Sequence, residues 1–309
     1  MTADTLAPFE RVPEALRSAI AGAGLDPIKV YDDVVAAVEE DLPGEDVTSV
    51  ATLDPHARAT AHLVARADGV VAGVRVAELV FAVVAPDAVT EPRVGDGGRV
   101  TRGDVLMAVT GPVRQLLTAE RTALNYLCHL SGVATATARW VDALEGTGAR
   151  VRDTRKTTPH FRALEKYAVR CGGGTNHRGS LSDQALVKDN HVLAAGGVVP
   201  AYRAVRERYP DLPVQVEVTT LDQLRELLDA GCDSVLLDNM STDQMAEAVR
   251  ITGGRARLEA SGGLTLDRAR DVAATGVDYI AVGAITHSAP VLDIAMDLLT
   301  GAAPREESA

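Results

Sequence analysis

The chain has 309 residues, of which 46% are hydrophobic and 3% aromatic, and it carries a formal net charge of −12 at pH 7. A chain of this length can bury a large core and is expected to form one large domain or two modest ones. Its acidic balance argues against a general nucleic-acid or anionic-membrane binder, because such proteins need broad positive surfaces. We therefore expect a small molecule or another protein as the partner, with no nucleic acid and no membrane.

Cysteine usage and the first residues predict the compartment. Cys128, Cys171 and Cys232 are odd in number and too widely spaced for a zinc motif or a disulfide framework, which fits a reducing environment. The N-terminal residues lack the basic region and apolar run of a secretory signal. No stretch approaches the roughly 18 unbroken apolar residues of a membrane span. The sequence therefore predicts a soluble, cytoplasmic protein.

The N-terminal part predicts helices followed by a β-rich region. Residues 1–27 mix Pro, Gly and Ala and are expected to form a flexible arm with a short helix at Glu14–Ala21. Val30 opens a valine repeat with helical spacing. We assign residues 28–116 to an N-terminal α+β domain.

Within that domain, residues 60–108 have a rhythm that also occurs in lipoyl and biotinyl carrier domains. Short Val-rich runs broken by Gly and Asp predict strands and tight turns, with one helix at Ala77–Val84. A carrier domain needs a lysine at a hairpin tip, and no lysine occurs between Lys29 and Lys156. The carrier interpretation therefore fails, and a β-rich domain that walls a site remains.

The longest helical pattern covers Leu117–Gly146 and predicts a helix with a break at Ser131-Gly132. Its apolar stripe consists of Leu124, Leu127 and Leu130. Arg121 falls on another face of this helix. From spacing alone, Arg121 would be an exposed charge beside Glu120.

From Val151 onward, strand-like and helix-like segments alternate. Two of them align without a gap: DQLRELLDAGCDSVLL at 222–237 and DRARDVAATGVDYIAV at 267–282. Each reads as a helix, a glycine stop and a strand, which predicts repeated βα units and a parallel sheet. Periodicity alone leaves open whether the sheet closes into a barrel. We assign residues 117–295 to this catalytic domain and residues 296–309 to a C-terminal tail.

The segment from Asp153 to His191 concentrates cations within an acidic chain. It holds seven Lys or Arg against four Asp or Glu, and it includes three of the chain's four lysines and three of its seven histidines. Gly172–Gly174 add a backbone that can turn sharply or approach a ligand closely. Because Gly, Asn, His and Thr interrupt the charges, the pattern indicates a pocket rather than a solvated loop. We predict that the pocket binds a polyanionic small molecule.

The motifs DTRKTTP, LEKYAV, GGG, NHR and LVKDNH occur in this order within the same segment. In sequence and spacing they resemble the quinolinate phosphoribosyltransferases, and the resemblance extends from about Val30 to Ala295. It implies an α/β fold, in which an N-terminal α+β sandwich domain precedes an incomplete TIM-like barrel of parallel βα units. It also implies a reaction of quinolinate with 5-phosphoribosyl 1-pyrophosphate and Mg²⁺. The products would be nicotinate mononucleotide, carbon dioxide and pyrophosphate, as a step of de novo NAD biosynthesis.

In a βα barrel the active site lies at the C-terminal ends of the strands, and here polar residues or glycines follow every predicted strand. The expected catalytic residues are Lys156, Lys188, Glu217 and Asp238. The expected substrate-binding residues are Arg121, Thr154, Arg155, Lys156, His177, Arg178, Lys188, Glu217, Asp238, Ser261, Gly262, Gly263, Val282, Gly283, Ala284 and His287. The expected Mg²⁺ ligands, directly or through water, are Glu217 and Asp238. The alternative for these two acids is that each caps a helix.

The resemblance also implies shared active sites. The motif ERTALNYL resembles the family pattern that places Arg121 in the active site of a neighbouring subunit. We therefore expect a homodimer or a larger assembly.

The expected mechanism follows from the residue types. Arg155 and Arg178 can each hold a carboxylate through two parallel hydrogen bonds. We expect the pyridine nitrogen to attack the ribose C1 as pyrophosphate departs, while positive charge develops near Glu217 and Asp238 and Mg²⁺ with Lys156 neutralises the leaving group. The alkylated ring nitrogen then accepts the electrons of the departing carboxylate, so no separate decarboxylation cofactor is required. Three residues keep interchangeable roles at this stage: Lys156, His177 and His287.

The sequence also bears on two rival interpretations. A related barrel pyrophosphorylase acting on another base, such as the molybdenum-transport-associated relatives, should differ in the cations that bind the carboxylates. All four of those residues are present: Arg155, His177, Arg178 and Lys188. A non-catalytic regulatory barrel would tolerate the loss of Glu217 or Asp238, and both are retained.

Overall fold

The computed structural model describes residues 6–299. The strands are β1 (Arg58–Ala65), β2 (Gly69–Val70), β3 (Val89–Pro92), β4 (Arg99–Val100), β5 (Val105–Pro112), β6 (Arg150–Arg152), β7 (Ala185–Val187), β8 (Val214–Val218), β9 (Ser234–Asp238), β10 (Arg257–Ser261), β11 (Tyr279–Ala281) and β12 (Ile294–Leu299). The α-helices are α1 (Glu14–Gly22), α2 (Pro27–Asp41), α3 (Val47–Thr52), α4 (Val74–Val84), α5 (Val113–Ala143), α6 (Arg162–Cys171), α7 (Asp189–Ala195), α8 (Val198–Arg208), α9 (Leu221–Asp229), α10 (Thr242–Thr252), α11 (Ala269–Ala274) and α12 (Ala284–His287). Short 3-10 helices cover Phe9–Arg11 and Leu266–Arg268.

The chain divides into two compact units. One contains the residues up to 135 together with those from 289 onward, and the other contains residues 136–288. The division falls inside α5 and returns the end of the described chain to the first unit. Among the described residues, no helix is both long enough and apolar enough to cross a membrane.

The first unit is built on an antiparallel sheet with strand order β12-β1-β5-β3. The helix predicted at Ala77–Val84 is confirmed as α4, but it begins three residues earlier, at Val74. Gly73 adopts a left-handed conformation with φ 94°, and the Asp96 carboxylate accepts the otherwise free N–H of Val74 at 2.8 Å. This cap satisfies a backbone donor at the start of the helix, so the helix starts there.

The N-terminal residues are packed where the structure describes them. The short helix predicted at Glu14–Ala21 is confirmed as α1, and it buries Leu16 and Ile20. The N–H of Ala7 donates to the carbonyl of Val83 at 2.8 Å, which ties the segment before α1 to the end of α4. The arm predicted for residues 1–27 is therefore attached to the first unit from residue 6, and residues 1–5 lie outside the described part.

The end of the described chain is a strand rather than a tail. Strand β12 pairs with β1 in antiparallel register, with Met296 opposite Leu63. The tail predicted for residues 296–309 thus begins within the sheet of the first unit. Residues 300–309 lie outside the described part of the chain.

Helix α5 runs without the predicted break. Ser131 is fully buried, and its hydroxyl accepts the N–H of Ala72 at 3.0 Å. A Cβ atom at Gly132 would collide with the carbonyl oxygen of Pro290. These small residues interrupt the helical pattern in the sequence because the chain packs closely against the helix at this point, not because the helix ends there.

The second unit is built on a parallel sheet with strand order β6-β11-β10-β9-β8-β7. Arg152 on β6 and Gln215 on β8 both reach Glu259 on β10, although each is two strands away. Such contacts require the sheet to curl around a common interior. The predicted α/β fold, with an incomplete TIM-like barrel after an N-terminal α+β part, is confirmed.

The internal repeat predicted from the sequence marks equivalent turns of this barrel. Gly231 and Gly276 both precede a barrel strand, and both have left-handed φ values, 82° and 93°. Glycine adopts this conformation at little cost after a helix. Helices that follow strands begin at polar caps: the Thr220 hydroxyl accepts the N–H of Gln223, and the Ser241 hydroxyl that of Gln244, both at 3.2 Å.

Candidate active site

A cavity of about 670 Å³ opens at the C-terminal ends of the barrel strands. It is lined by nearly all the residues that the sequence predicted: Thr154, Arg155, Lys156, His177, Arg178, Lys188, Glu217, Asp238, Ser261, Gly262, Gly263, Val282, Gly283, Ala284 and His287. All of them belong to the second unit. The remaining predicted residue, Arg121, lies exposed on α5 in the first unit.

The lining also includes residues to which the sequence analysis gave no role: Leu186, Asp189, Leu236, Asn239, Glu259, Leu264 and Ala281. The alternation of side chains along a strand was a usable signal for four of them: Leu186, Leu236, Glu259 and Ala281. Leu186 and Leu236 each lie two residues before a predicted site residue, Lys188 and Asp238, and therefore share its face of the sheet. These two leucines supply apolar surface to the cavity.

The Arg155 guanidinium is close enough to Arg178 to disfavour the positive charge of Arg178. Burial lowers the pKa of Arg178, and the neighbouring Arg155 lowers it further. One Arg178 nitrogen, Nη1, donates to the carbonyl of Gln184 at 3.1 Å. The Nε atom of Arg155 is buried and has no hydrogen-bond partner among the described residues. Two adjacent guanidinium groups with unused donors are suited to bind an anion.

A buried ion pair joins the two segments that carry these arginines. Lys166 Nζ lies 2.5 Å from Asp153 Oδ1 and donates to the carbonyl of His177 at 2.9 Å. Asp153 also accepts the N–H of His177 at 2.7 Å and an amide hydrogen of Asn176 at 2.6 Å. A buried pair of this kind requires further hydrogen bonds to offset desolvation, and here they are present. The pair therefore fixes the exit of β6 beside residues 176–178.

A second buried set of side chains extends from the cavity into the barrel, and two of its members, His177 and Glu259, line the cavity. We call Arg152, Gln215, Glu259 and His177 the His177 network. His177 Nε2 lies 2.8 Å from Gln215 Oε1, and Gln215 Nε2 donates to Glu259 Oε2 at 3.1 Å. Arg152 Nη1 donates to the same carboxylate oxygen at 2.8 Å. Burial lowers the pKa of His177, against the opposing influence of Glu259.

Two carboxylates face the cavity from the adjacent strands β8 and β9. Burial raises the pKa of Glu217, and Asp238 raises it further, while Lys188, 3.5 Å away, lowers it. Asp238 Oδ2 accepts an amide hydrogen of Asn239 at 2.8 Å. Among the described residues no group of three or more His, Cys, Asp or Glu side chains could enclose a metal ion. A cation held here would thus share one or two carboxylates with water or a ligand.

Glycines follow the barrel strands β10 and β11. Gly262 and Gly263 have left-handed φ values, 97° and 57°, and a Cβ atom at Gly262 would collide with the Asn239 side chain. A Cβ atom at Gly283 would lie 3.1 Å from Lys156 Cδ and 3.2 Å from the His287 ring. These positions let the main chain approach the cavity where a side chain would obstruct it.

Residues 133–297 match the C-terminal domain of quinolinate phosphoribosyl transferase, and residues 46–131 match the N-terminal domain of the same family. The nicotinate-nucleotide pyrophosphorylase [carboxylating] of Mycobacterium leprae is 51% identical over 273 residues, which are 86% of this chain and 96% of that protein. A probable nicotinate-nucleotide pyrophosphorylase [carboxylating] of Bacillus subtilis is 38% identical over 260 residues, covering 84% of this chain and 90% of the relative.

Solved structures agree with these sequence matches. The crystal structure of NadC from Streptococcus pyogenes superimposes with a TM-score of 0.86 at 42% identity, covering 89% of this chain and 98% of that chain. The nicotinate-nucleotide pyrophosphorylase of Francisella tularensis gives 0.84 at 35% identity, with coverages of 88% and 96%. On the strength of both domain matches and these relatives, the chain belongs to the quinolinate phosphoribosyltransferase family.

Proposed function

We propose that this chain transfers the phosphoribosyl group of 5-phosphoribosyl 1-pyrophosphate to quinolinate, with loss of one carboxylate as carbon dioxide. The products are nicotinate mononucleotide and pyrophosphate. The proposal rests on the family and on how side chains of different chemistry are distributed around one cavity. The cations follow the edge strands β6 and β7, the acids stand on β8 and β9, and the glycines follow β10 and β11.

The cation sector suits the pyridine dicarboxylate. Arg155, Arg178 and Lys188 lie where the two edges of the curled sheet meet the cavity, and Arg155 lowers the pKa of Arg178. A ligand with two adjacent carboxylates would relieve that repulsion and use the free guanidinium donors. Leu186 and Leu236 would offer apolar contact to the flat ring. Quinolinate combines these two properties in one small molecule.

The acid sector suits the ribose. When the pyridine nitrogen bonds to ribose C1, the bond from C1 to the pyrophosphate oxygen breaks, and positive charge develops on the sugar. Glu217 and Asp238, as carboxylates on adjacent strands, would stabilise that charge and hold the ribose hydroxyl groups. Burial raises the pKa of Glu217, and a shift of this kind on a partly buried acid in a cleft is typical of functional sites.

The glycine sector suits phosphate. Main chain at Gly262-Gly263 and Gly283 can approach a ligand closely, and the last strand exits of such barrels are a common phosphate position. Lys156 stands beside Gly283 and His287, so it would meet an anionic group held there. We assign Lys156 to the departing pyrophosphate, whose negative charge grows as the bond to C1 breaks.

Mg²⁺ fits this site as an ion shared with substrate. Glu217 and Asp238 supply two oxygen-bearing side chains, and Mg²⁺ is commonly held by one or two carboxylates together with substrate phosphates and water. When bound, the ion would neutralise charge on the pyrophosphate. The two carboxylates would hold it directly or through water.

Decarboxylation follows from the chemistry of the ring. Bond formation at the ring nitrogen makes the pyridine cationic, so the electron pair of the C2–carboxylate bond can stay in the ring as carbon dioxide leaves. A proton from solvent then replaces the carboxylate at C2. Arg178 and Arg155 would hold the carboxylates in place until the bond breaks.

We also propose that the working unit is at least a dimer. Arg121 is exposed on α5 and belongs to the first unit, whereas every residue that lines the cavity belongs to the second. An Arg121 supplied by another copy would add a fourth cation to the dicarboxylate site. The cytoplasm is the proposed location, in keeping with the cytosolic character expected from the sequence.

One reaction tests the proposal. The purified protein is incubated with 5-phosphoribosyl 1-pyrophosphate, Mg²⁺ and quinolinate labelled with ¹³C in the 2-carboxylate. We expect nicotinate mononucleotide and labelled carbon dioxide in equal amounts. A related barrel that acts on another base would bind the sugar donor without forming either product, and that result would overturn the proposal.

A further inference from the structure

The ring of His177 has a single allowed protonation state in this structure. Its Nδ1 atom accepts the backbone N–H of Arg178 at 2.7 Å. A backbone N–H can only donate, so Nδ1 carries no proton. The single proton of the ring is therefore on Nε2, which donates to Gln215 Oε1 at 2.8 Å. His177 is neutral, in the Nε2–H tautomer.

The opposite end of the His177 network independently requires the Gln215 oxygen to face His177. Glu259 Oε2 accepts from Gln215 Nε2 and from Arg152 Nη1. An ionised carboxylate only accepts, so the Gln215 amide must turn its NH₂ group toward Glu259 and its oxygen toward His177. The Arg152 guanidinium lies 3.4 Å from the centre of the Tyr279 ring, which holds it in place. The Gln215 amide therefore has one orientation, while Arg152 Nε and Glu259 Oε1 have no hydrogen-bond partner among the described residues.

Burial makes this assignment hard to reverse. Gln215 and Glu259 are each 1% exposed, and the His177 side chain is 6% exposed. If one of these side chains turned over, water could not readily supply the lost hydrogen bond, and the buried donor or acceptor would stay unpaired. Burial also favours the neutral imidazole.

We infer that His177 is a positioning residue for Arg178, and that Gln215 and Glu259 act through it. The inference rests on the proposed function, in which Arg178 holds a carboxylate of quinolinate. The Nδ1 atom of His177 accepts the backbone N–H of Arg178, and the backbone N–H of His177 donates to Asp153 at 2.7 Å. Neither ring nitrogen is left for a substrate, and the ring brings no positive charge. The positive charges that bind the carboxylates then come from the arginines and Lys188, while the His177 network determines the position of Arg178.

The first test needs no variant and no turnover. In the ¹⁵N-labelled protein at pH 7, long-range ¹H–¹⁵N correlation spectra should show a pyridine-type Nδ1 and a pyrrole-type Nε2 for His177. These signals should be missing in His177→Asn, which assigns them. Finding His177 doubly protonated, or protonated on Nδ1, would overturn the inference even if the protein makes nicotinate mononucleotide. Conversely, a failed activity assay would overturn the proposed function and leave the tautomer result standing.

The second test asks whether the network acts through Arg178. Gln215→Met keeps the size of the side chain and removes both hydrogen bonds. We expect the KM for quinolinate to rise about 10- to 100-fold, as for the loss of a buried polar contact, with a much smaller change in the KM for the sugar donor. Thr252→Val is the matched control, because Thr252 is buried in the same unit and its hydroxyl has no hydrogen-bond partner among the described residues. Equal rises in both KM values, or an equal effect of the control, would contradict a positioning role.

Substitution of His177 itself separates position from charge. Asn offers an uncharged acceptor near the Arg178 N–H, whereas Lys offers a cation and no acceptor. We expect His177→Asn to bind benzene-1,2-dicarboxylate, which carries two adjacent carboxylates, at least 10-fold more tightly than His177→Lys. Calorimetric titration measures both affinities. The reverse order would show that the site needs a charge at residue 177 and would overturn the inference.

Discussion

Lys188 Nζ and Glu217 Oε2 lie 3.5 Å apart, one side chain at the exit of β7 and the other on the neighbouring β8. Even with this cation nearby, burial and Asp238 raise the pKa of Glu217 above the ordinary value of 4.5. The folded protein therefore binds a proton at Glu217 more tightly than the unfolded chain does. As pH rises from the unfolded pKa through the raised folded pKa, this group loses its contribution to stability.

The stability cost of Glu217 can be measured. Glu217→Gln removes the charge and keeps the shape, so we expect the variant to unfold at a higher temperature than the parent at pH 8 and to lose that advantage toward pH 4. Activity should fall strongly at every pH. Glu247→Gln is the control of opposite sign, because Arg250 lowers the pKa of Glu247. A Glu217→Gln protein that is less stable than the parent at pH 8 would mean that the pair with Lys188 outweighs burial.

Arg155 should be needed for catalysis and not for folding. We expect Arg155→Ala to lose about 2 to 4 kcal/mol of transition-state binding, or roughly 30- to 1000-fold in kcat/KM, because a charge-assisted contact is removed. Arg257→Ala is the matched control, since its side chain is 70% exposed and pairs with Asp278 away from the cavity. Steady-state rates and melting temperatures of both variants check this. A loss of only a few-fold in Arg155→Ala would contradict the assignment of the cavity.

Gly132 should be needed for packing and not for helix formation. Gly132→Ala replaces a poor helix former by a good one, yet its Cβ atom would meet the Pro290 main chain. We expect a net loss of about 1 to 3 kcal/mol in the free energy of unfolding. Gly22→Ala in α1 meets nothing within 4 Å and should be neutral or stabilising. Urea denaturation measures the free energy of unfolding of both variants. Equal values for Gly132→Ala and Gly22→Ala would contradict the close packing at Gly132.

Shared active sites can be tested by mixing subunits. Arg121→Ala and Lys188→Ala proteins should each be nearly inactive. The first lacks the arginine that each subunit supplies to the active site of another copy, and the second lacks the lysine of its own cavity. Hybrid assemblies would contain one site with neither change, so we expect activity to recover after mixing and subunit exchange. Mass spectrometry of labelled subunits establishes the exchange. Verified hybrids without recovery would count against an Arg121 that crosses between copies.

The sequence predicted the barrel unit in most of its detail. Strands with polar or glycine exits are visible one at a time in the chain, and parallel pairing then brings Lys188, Glu217 and Asp238 to one edge. The aligned repeats located Gly231 and Gly276 because a left-handed turn after a helix leaves a local signature. Local chemistry and a repeated topology were sufficient there.

Long-range packing was harder to predict. Ser131-Gly132 looked like a helix break because the contacts that explain these small residues, with Ala72 and Pro290, are distant in sequence. Strand β12 looked like a tail because its partner β1 lies far earlier in the chain. Glu259 was given no role from the sequence, because its role depends on Gln215, whose inward orientation only the curled sheet reveals.

The most direct test of the central claim compares quinolinate with nicotinate at a fixed concentration of sugar donor and Mg²⁺. Both acids carry the ring nitrogen and the 3-carboxylate, but nicotinate lacks the 2-carboxylate and would leave a cation of the cavity uncompensated, which is costly. Sites built around a polar group reject an analogue that lacks it by factors of up to about 10⁴ to 10⁵. We predict a kcat/KM for quinolinate that exceeds that for nicotinate by several orders of magnitude. Equal kcat/KM values for the two acids would contradict a cavity in which Arg155, Arg178 and Lys188 bind two carboxylates.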